Sequence, residues 1–139
     1  MSDADEIEAI REKRMQEIVD GAAGGNGGGE TQAAPAEPIH VRGADHFREV
    51  TSSYDVVLVD YYADWCGPCQ MLEPIVAEIA RETDAAVAKV DIDAHQDLAM
   101  QAGVRGVPTL FLWADGTEVK RMVGLQDAAT LRNLVEQYA

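Results

Sequence analysis

Seven consecutive residues, Val56-Val57-Leu58-Val59-Asp60-Tyr61-Tyr62, do most to limit what this chain can fold into. Apart from Asp60 the run is apolar or aromatic and rich in β-branched valine. It lacks the alternation of a strand wetted on one side, which predicts a strand covered on both faces at the centre of a sheet. Close behind it comes Trp65-Cys66-Gly67-Pro68-Cys69, which holds the only two cysteines of the chain. A Cys-x-x-Cys that leaves such a strand and opens a helix reads as a redox pair, whereas a structural zinc site needs four ligands.

The pattern on either side of the cysteines predicts the rest of the fold. Leu72, Ile75, Val76, Ile79 and Ala80 recur at helical spacing, with Pro74 inside the pattern and a kink expected there. Val87 to Ile92 reads as the next strand and His95 to Ala102 as a second helix, giving a parallel strand-helix-strand unit. Thr109 to Trp113 and Val119 to Val123 are β-rich runs joined through Asp115-Gly116, a hairpin signal that predicts an antiparallel pair. Asp127 is expected to cap a last helix with an apolar stripe of Leu131, Leu134, Val135 and Tyr138. The expected fold is α/β, with a mixed central sheet of four to five strands flanked by helices on both faces.

The 139 residues, 47% hydrophobic, suit one small domain with something appended. Residues 1 to 20 hold seven acids and three bases around Ile7, Ile10 and Ile18, the makings of a short helix with a thin apolar stripe. Residues 21 to 38 are rich in glycine and read as a flexible linker, so that 1–38 is an extension and 39–139 the domain. No stretch is long and apolar enough for a membrane span, and the first residues lack the basic and apolar regions of a signal peptide. The protein is therefore expected in the cytoplasm, where a lone cysteine pair is more often catalytic than structural. With 25 acids against 11 bases the formal charge is -14, which argues against nucleic acid as a partner. Self-repulsion of that size is screened by salt, and a salt-rich source cell is the expectation.

A thiol that attacks disulfides must ionise near neutral pH, be reachable, and lie close to a second thiol. Cys66 falls at a helix N-terminus, where unpaired N–H groups and the helix dipole favour the thiolate. Cys69, one turn on, can reach it. Cys66 is read as the nucleophile and Cys69 as the resolving thiol. Pro68 needs no N–H in the first helical turn, and Gly67 lets another backbone come close. Asp60, a carboxylate within an apolar strand, is costly to bury charged and should have a raised pKa, fit for moving a proton near neutrality.

Ala63-Asp64-Trp65-Cys66-Gly67-Pro68-Cys69 closely resembles the active-site sequence of the thioredoxin family, and the likeness continues through Val107-Pro108-Thr109, Asp115-Gly116 and Val123-Gly124. It covers about residues 39 to 139. The resemblance implies a thioredoxin-like fold and a protein-disulfide reductase that cycles between dithiol and disulfide. It puts Asp60 on the buried aspartate behind the second cysteine, proton acceptor for Cys69, and Lys89 on its lysine neighbour. It makes Pro108 a cis proline facing the cysteines, with Val107 lending its backbone to an extended substrate segment. Trp65, Gly67, Pro68 and Gly124 would complete the substrate face. The implied partners are disulfide-containing proteins and a flavoprotein thioredoxin reductase, with no bound cofactor, no membrane and a monomeric state. Tyr62 stands where the family often has tryptophan, and Gln70 where lysine or arginine is usual. Loss of that positive charge would raise the Cys66 pKa slightly.

Three other readings compete. His40 and His46 could join Cys66 and Cys69 as zinc ligands, although they flank a predicted strand and helix start and do not face the cysteines. His95 reads as a helix-start residue near the surface. The domain could be a thioredoxin-like binding or chaperone module with an idle dithiol, but such a module has no need of the motif, Asp60 and Val107-Pro108 together. An oxidase or isomerase would keep the chemistry and reverse its direction, yet Gly67-Pro68 resembles the reducing members.

Overall fold

A computed structural model describes residues 33–139, so the expected N-terminal helix and most of the linker lie outside the described residues. The elements run β1 (Ile39–His40), α1 (Ala44–Ser53), β2 (Val56–Tyr62), α2 (Gly67–Glu82), β3 (Ala86–Asp91), α3 (Gln96–Ala102), β4 (Thr109–Ala114), β5 (Thr117–Val123) and α4 (Ala128–Tyr138). They form one five-stranded mixed sheet in the order β1-β3-β2-β4-β5. The apolar run takes the middle place, as its lack of alternation requires, parallel to β3 and antiparallel to β4.

Strand alternation sends Val57, Val59 and Tyr61 to one face of the sheet and Leu58 and Asp60 to the other. On the first face they meet Ala86, Ala88, Val90 and Phe111 beneath Val50 of α1 and Leu98 and Ala99 of α3. On the second, Leu58, Val87, Leu110 and Leu112 pack under Leu72, Val76 and Ile79 of α2 and Leu131 and Val135 of α4. Of the expected stripe on α4, Leu131 and Val135 are buried while Tyr138 is exposed. The core also reaches back to Ala34, ahead of β1.

The hairpin forms where Asp115-Gly116 predicts it. Ala114 pairs with Thr117, and both turn residues take positive φ (53° and 80°), as a two-residue turn matched to strand twist demands. Asp127 caps α4 by accepting the Thr130 N–H at 2.7 Å, which holds its carboxyl below the usual carboxylate range. Pro74 lies inside α2, which runs from Gly67 to Glu82 around it.

Candidate active site

The site forms where the central strand ends and α2 begins. Cys66 is the N-cap of α2, in an extended conformation, and its Sγ accepts the Cys69 N–H at 3.2 Å. The helix start therefore offers a backbone donor to the Cys66 sulfur. Cys66 and Cys69 are joined in a disulfide. Both are buried, with Ala63 as their core neighbour, while Trp65, Gly67 and Pro68 around them are exposed.

The other wall is the loop before β4. Val107-Pro108 is a cis peptide, and Cys66 Sγ lies 3.6 Å from the Val107 carbonyl oxygen. Gly124 donates its N–H to the Pro108 carbonyl at 2.8 Å, with φ of 93° and open space where a side chain would project. A glycine there fits both the left-handed backbone and the flat surface. Trp65 is 69% exposed and is steadied by its indole N–H, which donates to Asp93 at 2.9 Å. Val123 and Leu125 are also exposed, on either side of Gly124. The sequence-predicted residues Cys66, Cys69, Val107 and Pro108 thus share one end of the sheet, with Gly124 tied to Pro108 and Trp65, Gly67 and Pro68 on the surface beside the disulfide.

Behind the cysteines lies the charged part of the core. Asp60 is fully buried, and neither of its carboxylate oxygens has a hydrogen-bond partner among the described residues. Burial pushes its pKa from 3.8 up to about 7; Lys89 opposes the rise and Glu73 adds to it. Lys89 is the residue opposite Asp60 on β3, also buried. Its Nζ does not bond Asp60. It pairs with Glu73 Oε1 at 2.9 Å and sits 4.2 Å from the centre of the Tyr62 ring. Burial also raises the Tyr62 pKa, with Asp91, Asp64, Glu73 and Asp60 adding to the effect. A cavity of about 270 Å3 is lined by Tyr62, Ala63, Asp64, Cys69, Gln70 and Glu73, so that Glu73 and Tyr62, the two partners of Lys89, share it with Cys69. Glu73 carries no motif, although its place four residues after Cys69 puts both on one helical face.

The remaining candidates lie elsewhere. His40 is in β1, and His46 in α1 accepts the Arg42 backbone N–H on Nδ1. Among the described residues, His40 and His46 are not brought together with Cys66 and Cys69 as one ligand set. His95 is the N-cap of α3.

Comparison with known proteins agrees with this geometry. The thioredoxin family model matches residues 37–137. A thioredoxin from Mycobacterium tuberculosis is 45% identical over 107 residues, covering 75% of this chain and 92% of that protein. A bifunctional thioredoxin reductase/thioredoxin from Mycobacterium leprae is 44% identical over 99 residues, 69% of this chain and 22% of the longer protein. Among solved structures, a mutant thioredoxin from Halobacterium salinarum NRC-1 superimposes with a TM-score of 0.74 at 59% identity, covering 77% of this chain and 95% of the other.

Proposed function

The chain belongs to the thioredoxin family and is a thiol-disulfide oxidoreductase, and from that premise we propose that it reduces protein disulfides, Cys66 attacking, Cys69 releasing and Asp60 taking the Cys69 proton. The observation that carries this reading is the placing of Cys66 at the α2 N-terminus, bonded to Cys69, with an unpartnered buried carboxylate behind them. An idle binding module has no use for that arrangement.

In the reduced protein the Cys66 thiolate attacks one sulfur of a substrate disulfide. A Cys66-substrate disulfide forms and the first substrate sulfur leaves as a thiolate. The Cys69 thiol passes its proton to the Asp60 carboxylate, directly or through water in the adjoining cavity. The Cys69 thiolate then attacks Cys66 Sγ, the Cys66–Cys69 disulfide closes, and the second substrate sulfur leaves. Two electrons pass to the substrate, and Asp60 returns its proton to solvent or to a departing thiolate. The substrate segment lies extended against Val107, ahead of cis Pro108, flanked by Trp65, Gly67, Pro68 and Gly124.

Re-reduction falls to a thioredoxin reductase, a partner supported by the joined reductase and thioredoxin of the Mycobacterium leprae relative. No helix among the described residues is long and apolar enough to cross a membrane. On family likeness we place the protein in the cytoplasm as a monomer. Its acid excess and its likeness to a Halobacterium protein support a salt-rich cell, for which Tm should rise from dilute buffer to molar potassium chloride.

Reduction of insulin disulfides tests the scheme. Cys66→Ser should abolish turnover, and Cys69→Ser should accumulate the mixed disulfide on Cys66. Equal turnover of Cys66→Ser and the native protein would refute it.

A further inference from the structure

We propose that Glu73, which lines the cavity beside Cys69, is a positioning residue for the releasing step, binding Lys89 so that the ammonium is held off Asp60, which stays free to accept the Cys69 proton. This inference rests on the reading of Asp60 as that acceptor.

The geometry is unusual for a buried lysine next to a buried aspartate. Asp60 and Lys89 are paired across β2 and β3, each almost removed from water, and the simplest outcome would be a direct ion pair. Instead Nζ is satisfied by Glu73, a residue 57% exposed on α2, and by the face of Tyr62. Both Asp60 oxygens are left without a partner. A carboxylate locked to an ammonium would be a poor base, because the pairing holds it ionised and lowers its affinity for a proton. Glu73 prevents this in two ways of the same sign: it engages the cation, and its own negative charge disfavours ionisation of Asp60. The charged groups acting on Asp60 are thus Lys89 from β3 and Glu73 from α2, with Tyr62 next on its own face of β2. Its neighbour on β4 is the uncharged Leu110. Glu73 and Cys69 line the same cavity, so the residue that sets the strength of the base also borders the thiol whose proton that base takes.

Single turnovers at saturating disulfide, followed by closure of the Cys66–Cys69 bond across pH 5 to 9 at fixed ionic strength, test the assignment. Release in the native protein should rise with pH around 7, as Asp60 ionises. Glu73→Gln should move that rise to lower pH by about half a unit and make release at pH 6 about twofold faster. Carboxyl-carbon NMR of Asp60 in the reduced protein should show the same downward shift without reference to turnover. An unmoved midpoint in both measurements overturns the role of Glu73. Asp60→Asn separates the two ways of failing. If it leaves the native pH profile in place, the reading of Asp60 is wrong. If it removes the profile while Glu73→Gln shifts nothing, only the role of Glu73 falls.

Discussion

The two faces of the central sheet are equally dry and differently built. Beneath α1 and α3, strand β2 presents Val57, Val59 and Tyr61 to a core of aliphatic and aromatic side chains, including the tilted pair of Tyr61 and Phe111 at 5.3 Å. Beneath α2 and α4 the same strand presents Leu58 and then Asp60, which meets Lys89. A carboxylate in such a place loses hydration that nothing among the described residues restores, and the cost falls on stability. The difference teaches where this fold can accept that cost: at the end of the strand nearest the cysteines, on the face that carries α2. Both faces carry an apolar core, and one of them also gives up stability to bury a carboxylate.

The largest test of that division is Phe111→Ala. Phe111 is 1% exposed and central to the aromatic face, so its truncation should cost about 3 to 5 kcal/mol in denaturant unfolding. Turnover of the folded fraction should not change. A variant that unfolds easily and also loses its pH profile would show that the faces are not separate in function.

Asp60→Asn should act in the opposite sense. The folded protein keeps the Asp60 proton up to pH about 7, while the unfolded chain releases it near 3.8. Between those values the native state binds more protons, so stability falls as pH rises and levels off above 7. The asparagine variant escapes this loss. It should match the native protein near pH 4 and exceed it at pH 8 by on the order of 4 kcal/mol, the full shift converted at about 1.4 kcal/mol per unit. Release of substrate should meanwhile slow about a hundredfold, the usual loss when a positioned base is removed. A variant no more stable at pH 8 than at pH 4, relative to the native protein, would mean that Asp60 is not the strained group the comparison requires.

The apolar framework was the easier part to read from sequence. An unbroken apolar run gives a central strand without any knowledge of its neighbours, and Asp115-Gly116 fixes a turn because few other pairs accept two positive φ values. The cysteines and Asp60 stand out because each is the wrong kind of residue for its surroundings. Lys89 is different: inside its own strand it names no partner, and only likeness to a family places it beside Asp60. Glu73 was not legible at all. Its partner lies 16 residues away on another element, and a glutamate on the outer part of an amphipathic helix looks like any solvated charge. Helix α1 has little to announce it either, since Gly43 before it offers no side-chain cap.

The smallest effect comes from the ion pairs that α2 makes away from the site. Arg132 of α4 reaches Glu78 at 2.8 Å and Glu82 at 2.7 Å, a base tied to α2 carboxylates just as Lys89 is. The likeness ends at burial: Arg132 is 33% exposed against 3% for Lys89, so water and salt screen its charge and leave no orphaned group beneath it. Arg132→Gln should therefore lower Tm slightly in dilute buffer and not at all in molar potassium chloride, with the pH profile of release unmoved. A loss that persists in salt would assign Arg132 to packing through its aliphatic stem. A shifted profile would mean that charge placed anywhere along α2 tunes Asp60, and the special standing of Glu73 would be gone.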